Sequence, residues 1–178
     1  MKNKKSILCF IAIAALFIIL LLIQVLVCNH IVLFGVAVPF IFVYFIITLP
    51  LDVGQCTLLT LAFLLGLGVD VCSDTAGMNA LACTVVAMMK RPLFFRFVLK
   101  DDKSVTLSPS VASMGFGQYL RYSALLVAVY CVLVFSVEYF SFCDISEILV
   151  KGAASAALTT VLILIVDSLS SAKREKRL

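Results

Sequence analysis

Residues 6–51, "SILCFIAIAALFIILLLIQVLVCNHIVLFGVAVPFIFVYFIITLPL", contain no Asp, Glu, Lys or Arg. A water-soluble domain has no use for such a run, whereas two bilayer-spanning helices of about 20 residues each account for all of it. The polar pair Asn29-His30 is the natural break. A first span over 6–28 and a second over 31–49 follow, with Pro39 expected to kink the second and Pro50 to end it. The run from Ser6 to Cys28 is too long for a signal h-region and shows no small-residue cleavage site, so it reads as a retained helix.

The rest of the chain agrees. Hydrophobic residues make up 63% of the sequence, charged residues 13%, and the mean hydropathy is +1.19, far outside the range of soluble domains. The whole of 1–178 is expected to form one integral membrane domain, an all-α polytopic bundle of six transmembrane helices. The remaining spans are placed at 53–72, 74–89, 118–137 and 149–169. Residues 90–117 are the one long connection, and 172–178 form a basic tail. The sequence "KRP" at 90–92 is expected to stop the fourth span, and "PLFFRFVLK" after it to lie in the interface plane.

Orientation follows from the basic residues. Thirteen of the fourteen Lys and Arg residues precede the first span, flank the long loop or lie in the tail, and only Lys151 falls on the other side. Both termini and the 90–117 loop are therefore expected to be cytoplasmic.

The seven cysteines fall mostly within or beside apolar runs, where a small polarizable packing residue is the ordinary reading. A Cys28–Cys143 disulfide is compatible with the topology but not indicated. With one histidine and no CxxC, a metal site has no support, and no cofactor is expected.

Small residues mark two packing faces. Ser73, Gly77, Ala80, Thr84 and Ala87 recur at 4-3-4-3 spacing, one face of a helix. Gly152 with Ala156, and Ala153 with Ala157, form two small-xxx-small pairs in "GAASAALTT" at 152–160.

The polar feature is "GVDVCSDTAGMNA" at 68–80. Two acids four residues apart in an apolar hairpin invite three readings: catalyst, carrier or structural clasp. Catalysis needs company that the chain does not offer at this end, since the basic groups collect at the other, and there is no HExxH, GxSxG or Walker sequence. Transport is weakened by the lack of a repeat of the hairpin. The clasp reading is favoured: Asp74 placed to cap the following helix, Gly77 allowing close backbone approach, and Asn79 donating to a carboxylate. Two ionised acids this close repel, so one is expected to be protonated or paired.

The same region resembles a known family. In "FLLGLGVDVCSDTAGMNALACT", Gly66, Leu67, Asp70, Thr75, Gly77, Met78, Asn79 and Ala80 match the signature of the rod shape-determining MreD family, particularly its Bacteroidota-type members. Ala76 stands where the family usually has Pro. "IQVLVCNHIVLFGVAVPFIFVYFIITLP" resembles the family's first helix hairpin, including Gln24, Asn29, Gly35, Pro39, Tyr44 and Pro50. "RPLFFRF" with "KDD", and then "SPSVASMGFGQYLRY", resemble its loop and fifth helix. The likeness covers roughly residues 20–140, and the last helix matches only in hydropathy and length.

The resemblance implies a six-helix fold similar to the substrate-binding components of energy-coupling-factor vitamin transporters. It also implies a non-enzymatic scaffold of the bacterial inner membrane within the cell-elongation machinery. The implied partner is MreC, and through it MreB, RodA and a penicillin-binding transpeptidase; the chain would thereby help to control cell shape and peptidoglycan synthesis. No nucleic-acid partner is implied. The alternative is a vitamin-like small-molecule-binding subunit of a membrane transporter.

Overall fold

The computed structural model describes residues 2–28, 38–98, 109–138 and 145–175. All regular structure among them is helical. In chain order the helices are α1 (Lys2–Leu26), α2 (Val43–Thr48), α3 (Gln55–Ser73), α4 (Met78–Val98), α5 (Val111–Met114), α6 (Phe116–Glu138) and α7 (Ile145–Glu175). Three stretches are long and apolar enough to cross a membrane: Gln55–Ser73, Phe116–Val137 and Val150–Leu169. A shorter apolar helix runs over Ile11–Leu26.

α3 and α4 form a hairpin, α4 packs against α6 as well, and α7 packs on α6. The enclosed core is aliphatic and aromatic, with Phe42, Phe45, Ile46, Leu65, Val86 and Leu126 fully covered. Phe40 and Phe42 stack edge-on against Tyr130, with ring centroids 5.1 and 5.6 Å away. At the opposite end from the α3–α4 turn, Phe94 of α4 meets Tyr122 of α6 in the same manner at 6.0 Å. Large apolar side chains also cover the outside, among them Phe63, Val71, Met88, Val132 and Val161, as a lipid-facing surface requires.

Four expectations about the elements change. The second span is not a helix over 31–49: residues 29–37 lie outside the described residues, 38–42 are irregular, and only Val43–Thr48 is helical. Pro39 therefore precedes a helix instead of kinking one. Irregular backbone inside an apolar bundle survives only if its polar groups find protein partners. Here they do. Gln24 of α1 donates from Nε2 to the Pro39 carbonyl at 3.1 Å and accepts the Ile41 N–H at 3.0 Å. Ser155 and Thr159 of α7 accept the N–H groups of Val38 and Phe40, both at 3.1 Å.

Second, "KRP" does not stop α4, which begins at Met78 and runs through Pro92 to Val98. Lys90 is buried and donates from Nζ to the Leu49 carbonyl. Arg91 donates from Nη2 to the carbonyls of Leu51 and Val53 at 3.0 and 2.8 Å. The two cations thus turn inward onto carbonyls of the α2–α3 connection instead of leaving the helix. The segment read as lying in the interface plane is, as far as Val98, the last part of α4, held by the contacts of Phe94 and Phe97 with Tyr122. The stretch 90–117 is correspondingly not one loop: 99–108 lie outside the described residues, and α5 and the start of α6 occupy its end.

Third, the outer spans are longer than expected. α1 takes in the basic residues from Lys2, and α7 extends to Glu175, into the tail. Fourth, Ser73 is the last residue of α3, so the small-residue face of α4 is carried by Ala80, Thr84 and Ala87. Ala80 and Ala87 are buried and Thr84 half-buried. On α7, Gly152 lies near the Phe135 ring and Ala156 packs on the core, whereas Ala153 and Ala157 are exposed, so only the first pair packs within the bundle.

Candidate functional site: the Asp70 clasp

The turn between α3 and α4 gathers the polar residues of the 68–80 stretch around one carboxylate. Asp70 lies on the buried side of the last turn of α3 and is 2% exposed. Its Oδ1 accepts from the Thr75 hydroxyl at 2.5 Å, the Asn79 backbone N–H at 3.1 Å and the Asn79 side-chain amide at 2.9 Å. Its Oδ2 accepts the Ala80 backbone N–H at 2.8 Å.

Asn79 and Ala80 lie in the first turn of α4, where N–H groups have no partner within the helix. Asp70 therefore caps α4 from the preceding helix, and its negative charge faces the positive end of the α4 dipole. The remaining acceptor of Asn79, Oδ1, takes the Tyr130 hydroxyl of α6. Asp70, Asn79 and Tyr130 form one buried relay across three helices.

Asp74, expected to cap α4, does something else. It is exposed and terminates α3 in the left-handed conformation, φ 54° and ψ 42°, with its N–H on the Asp70 carbonyl. The Thr75 N–H shares that acceptor at 3.0 Å. Asp tolerates this conformation better than most residues because its short polar side chain is locally accommodated. The pair therefore divides into a buried acceptor and an exposed turn residue, and no carboxylate contact between the two is needed.

Gly77 also changes role. A Cβ there would meet open space, so it grants no close approach; its φ of +82° is the reason for a glycine. The close approach belongs to Gly66, one turn before Asp70. A Cβ on Gly66 would fall 2.5 Å from the Cα of Ala80 and 2.6 Å from the carbonyl oxygen of Asn79. The helices touch backbone to backbone beside the carboxylate that joins them.

Sequence reasoning did not identify Tyr130, and nothing short-range marks a tyrosine 51 positions from its partner. It also passed over Asp167 and Lys90 as buried groups, although a charged residue among apolar ones was a signal to follow. In the sequence, Ser155 and Thr159 stand only as part of a small-residue patch. Cys28 is a buried free thiol, and Cys143 and His30 lie outside the described residues.

The fold and the clasp define a class: an all-helical bundle with three helices long and apolar enough to cross a membrane. No protein-family profile, curated protein or solved structure matches the chain.

Proposed function

We propose that this chain is an MreD-type scaffold of the bacterial inner membrane, non-enzymatic, crossing six times with both termini cytoplasmic. In this reading it binds MreC and, through it, joins MreB, RodA and a penicillin-binding transpeptidase in controlling lateral wall synthesis and cell shape. Its fold would be similar to that of the substrate-binding components of energy-coupling-factor transporters.

One observation carries the reading. Of the eight positions that match the family signature, six have a definite task in one turn. Gly66 admits the α4 backbone, Asp70 accepts, Thr75 and Asn79 donate, Gly77 takes a positive φ, and the Ala80 N–H completes the cap. Such a motif spends its polar groups on holding a shape. All four of the Asp70 bonds described above are internal to the α3–α4 hairpin, which suits a scaffold whose product is a surface.

Co-expression of the full chain with its cognate MreC, followed by purification through a tag on either protein, tests the proposal. Stable co-purification of the wild type is expected. A chain that purifies alone, folded and at good yield, overturns the scaffold reading.

A further inference from the structure

The connection between α2 and α3 is held from a distance. Lys90 donates to the Leu49 carbonyl, and Arg91 to the carbonyls of Leu51 at 3.0 Å and Val53 at 2.8 Å. The Val53 N–H closes the turn on the Pro50 carbonyl at 3.4 Å. Asp52 stands inside this turn and is exposed. Arg91 grips the backbone on both sides of Asp52 and leaves its carboxylate alone. Among the described residues, that carboxylate makes no hydrogen bond or ion pair.

A guanidinium can grip a carboxylate with two parallel bonds, so neutral carbonyls are the weaker acceptors for Arg91. Here the guanidinium fixes the turn instead, and the acid faces outward on a backbone with little freedom left to lose on binding. The surroundings set Asp52 apart. Arg96 and Arg121 are exposed near the same end of the bundle, where α4 and α6 meet through Phe94 and Tyr122. Asp167, the other acid described at this end, is buried.

Beyond the turn, the uncovered face of α3 runs through Cys56, Thr60, Phe63, Leu67 and Val71, spaced three or four residues apart. Next to Asp52 this face is small, so a second helix can come close to the backbone there. Further along it is bulky and apolar. A free acid at the end of such a face calls for a cation carried on a helix in the same bilayer. Membrane proteins concentrate Lys and Arg on one side of the membrane, so a partner helix brings its cations to the end where those of this chain lie. Anionic headgroups, by contrast, are repelled by Asp52.

Resting on the scaffold reading above, we propose that Asp52 and the Cys56–Thr60–Phe63–Leu67 face of α3 dock a transmembrane helix of the scaffold's partner. A Lys or Arg flanking that helix pairs with Asp52, and the Lys90 and Arg91 bonds keep the turn in the receiving shape.

Two native thiols supply the readout. Cys56 lies in the docking face, whereas Cys72, also exposed and about four and a half turns further along, lies on the other side of α3. With the full-length chain in mild detergent, maleimide labelling of Cys56 should slow several-fold when cognate MreC binds, while Cys72 keeps its rate. Asp52→Lys should reduce co-purification several-fold and Asp52→Asn less, because reversal adds repulsion to the lost attraction. Exchanging the flanking Lys or Arg of MreC for Glu should restore binding to Asp52→Lys. Cys56 labelling unchanged by bound MreC, or Asp52→Lys binding as well as the wild type, overturns the docking face and leaves the scaffold reading in place. A wild-type chain that does not bind overturns both. Protection of Cys56 in the chain alone, lost on dilution, assigns the face to a second copy and overturns the proposal. The labelling comparison needs only wild-type protein and stands even if a variant does not fold.

Discussion

Asp70 and Asp74 have the same side chain and opposite circumstances. Asp70 accepts from four donors in an enclosed site, and Asp74 stands in solvent-accessible surface with a left-handed backbone. Their substitutions should therefore part company. Asp70→Leu leaves buried donors unpaired, two of them backbone N–H groups of α4, and should cost about 3–5 kcal/mol. Asp70→Asn keeps the shape but places a donor where an acceptor is needed, and should cost about 2–3 kcal/mol. Asp74→Gly relieves the positive φ and should be neutral or stabilising by up to about 1 kcal/mol. Unfolding midpoints in mild detergent rank the three; equal effects at both positions would reduce the clasp to an ordinary turn. The sequence made Asp70 and Asn79 conspicuous because polar groups are expensive in apolar surroundings. It did not show which acid was buried, since both fall in the same few residues and only the backbone turn at Asp74 separates them.

At the scale of elements, the α3–α4 contact depends on a missing methyl group. Gly66→Ala would drive Cβ to 2.5 Å from the Cα of Ala80, against backbone that cannot step aside, and should cost about 3 kcal/mol. Gly77→Ala meets no atom within 4 Å and suffers only its positive φ, a cost of about 1–2 kcal/mol. Cysteine crosslinking across the hairpin adds a distinguishing readout, since Gly66→Ala should alter its yield and Gly77→Ala should not. The irregular 38–42 segment depends on α7 in a comparable way. Thr159→Val and Ser155→Ala each orphan one backbone N–H and should each cost about 1–3 kcal/mol, measurable by thermal unfolding. The element boundaries missed from sequence share one cause. Hydropathy reads 31–49 as a continuous span because the groups replacing its helical bonds, Gln24, Ser155 and Thr159, come from α1 and α7. Likewise "KRP" reads as a stop because nothing nearby reveals that Lys90 and Arg91 find carbonyls about 40 residues back.

For the whole molecule, helical class and the positions of α3, α6 and the core of α7 were legible from hydropathy alone, because long apolar runs admit few structures in lipid. Buried polar groups gather in separate sets, Asp70 with Asn79 and Tyr130, Asp167 with Tyr44, and Gln24, Ser155 and Thr159 around the 38–42 segment, within otherwise aliphatic and aromatic packing. The number of crossings is testable directly. A reporter fused after Leu178 should read as cytoplasmic if the proposed six-span topology, drawn from the distribution of basic residues, holds. A periplasmic signal would overturn the six-span topology.

The Asp70 clasp also bears on how the chain is made. Before α4 has left the ribosome, Asp70 has none of the Asn79 and Ala80 donors that later surround it; an acid costs about 2.5–3.5 kcal/mol on insertion at a helix centre, and Asp70, in the last turn of α3, carries a smaller penalty of the same kind. That penalty is relieved once residues 75–80 emerge and the first turn of α4 forms. The two helices should therefore enter the bilayer as a pair, the second rescuing the first. A nascent chain truncated at Ser73 should partition poorly into the membrane, and one extended through Met89 should partition well. In Asp70→Leu that difference should vanish, because a leucine gains nothing by waiting.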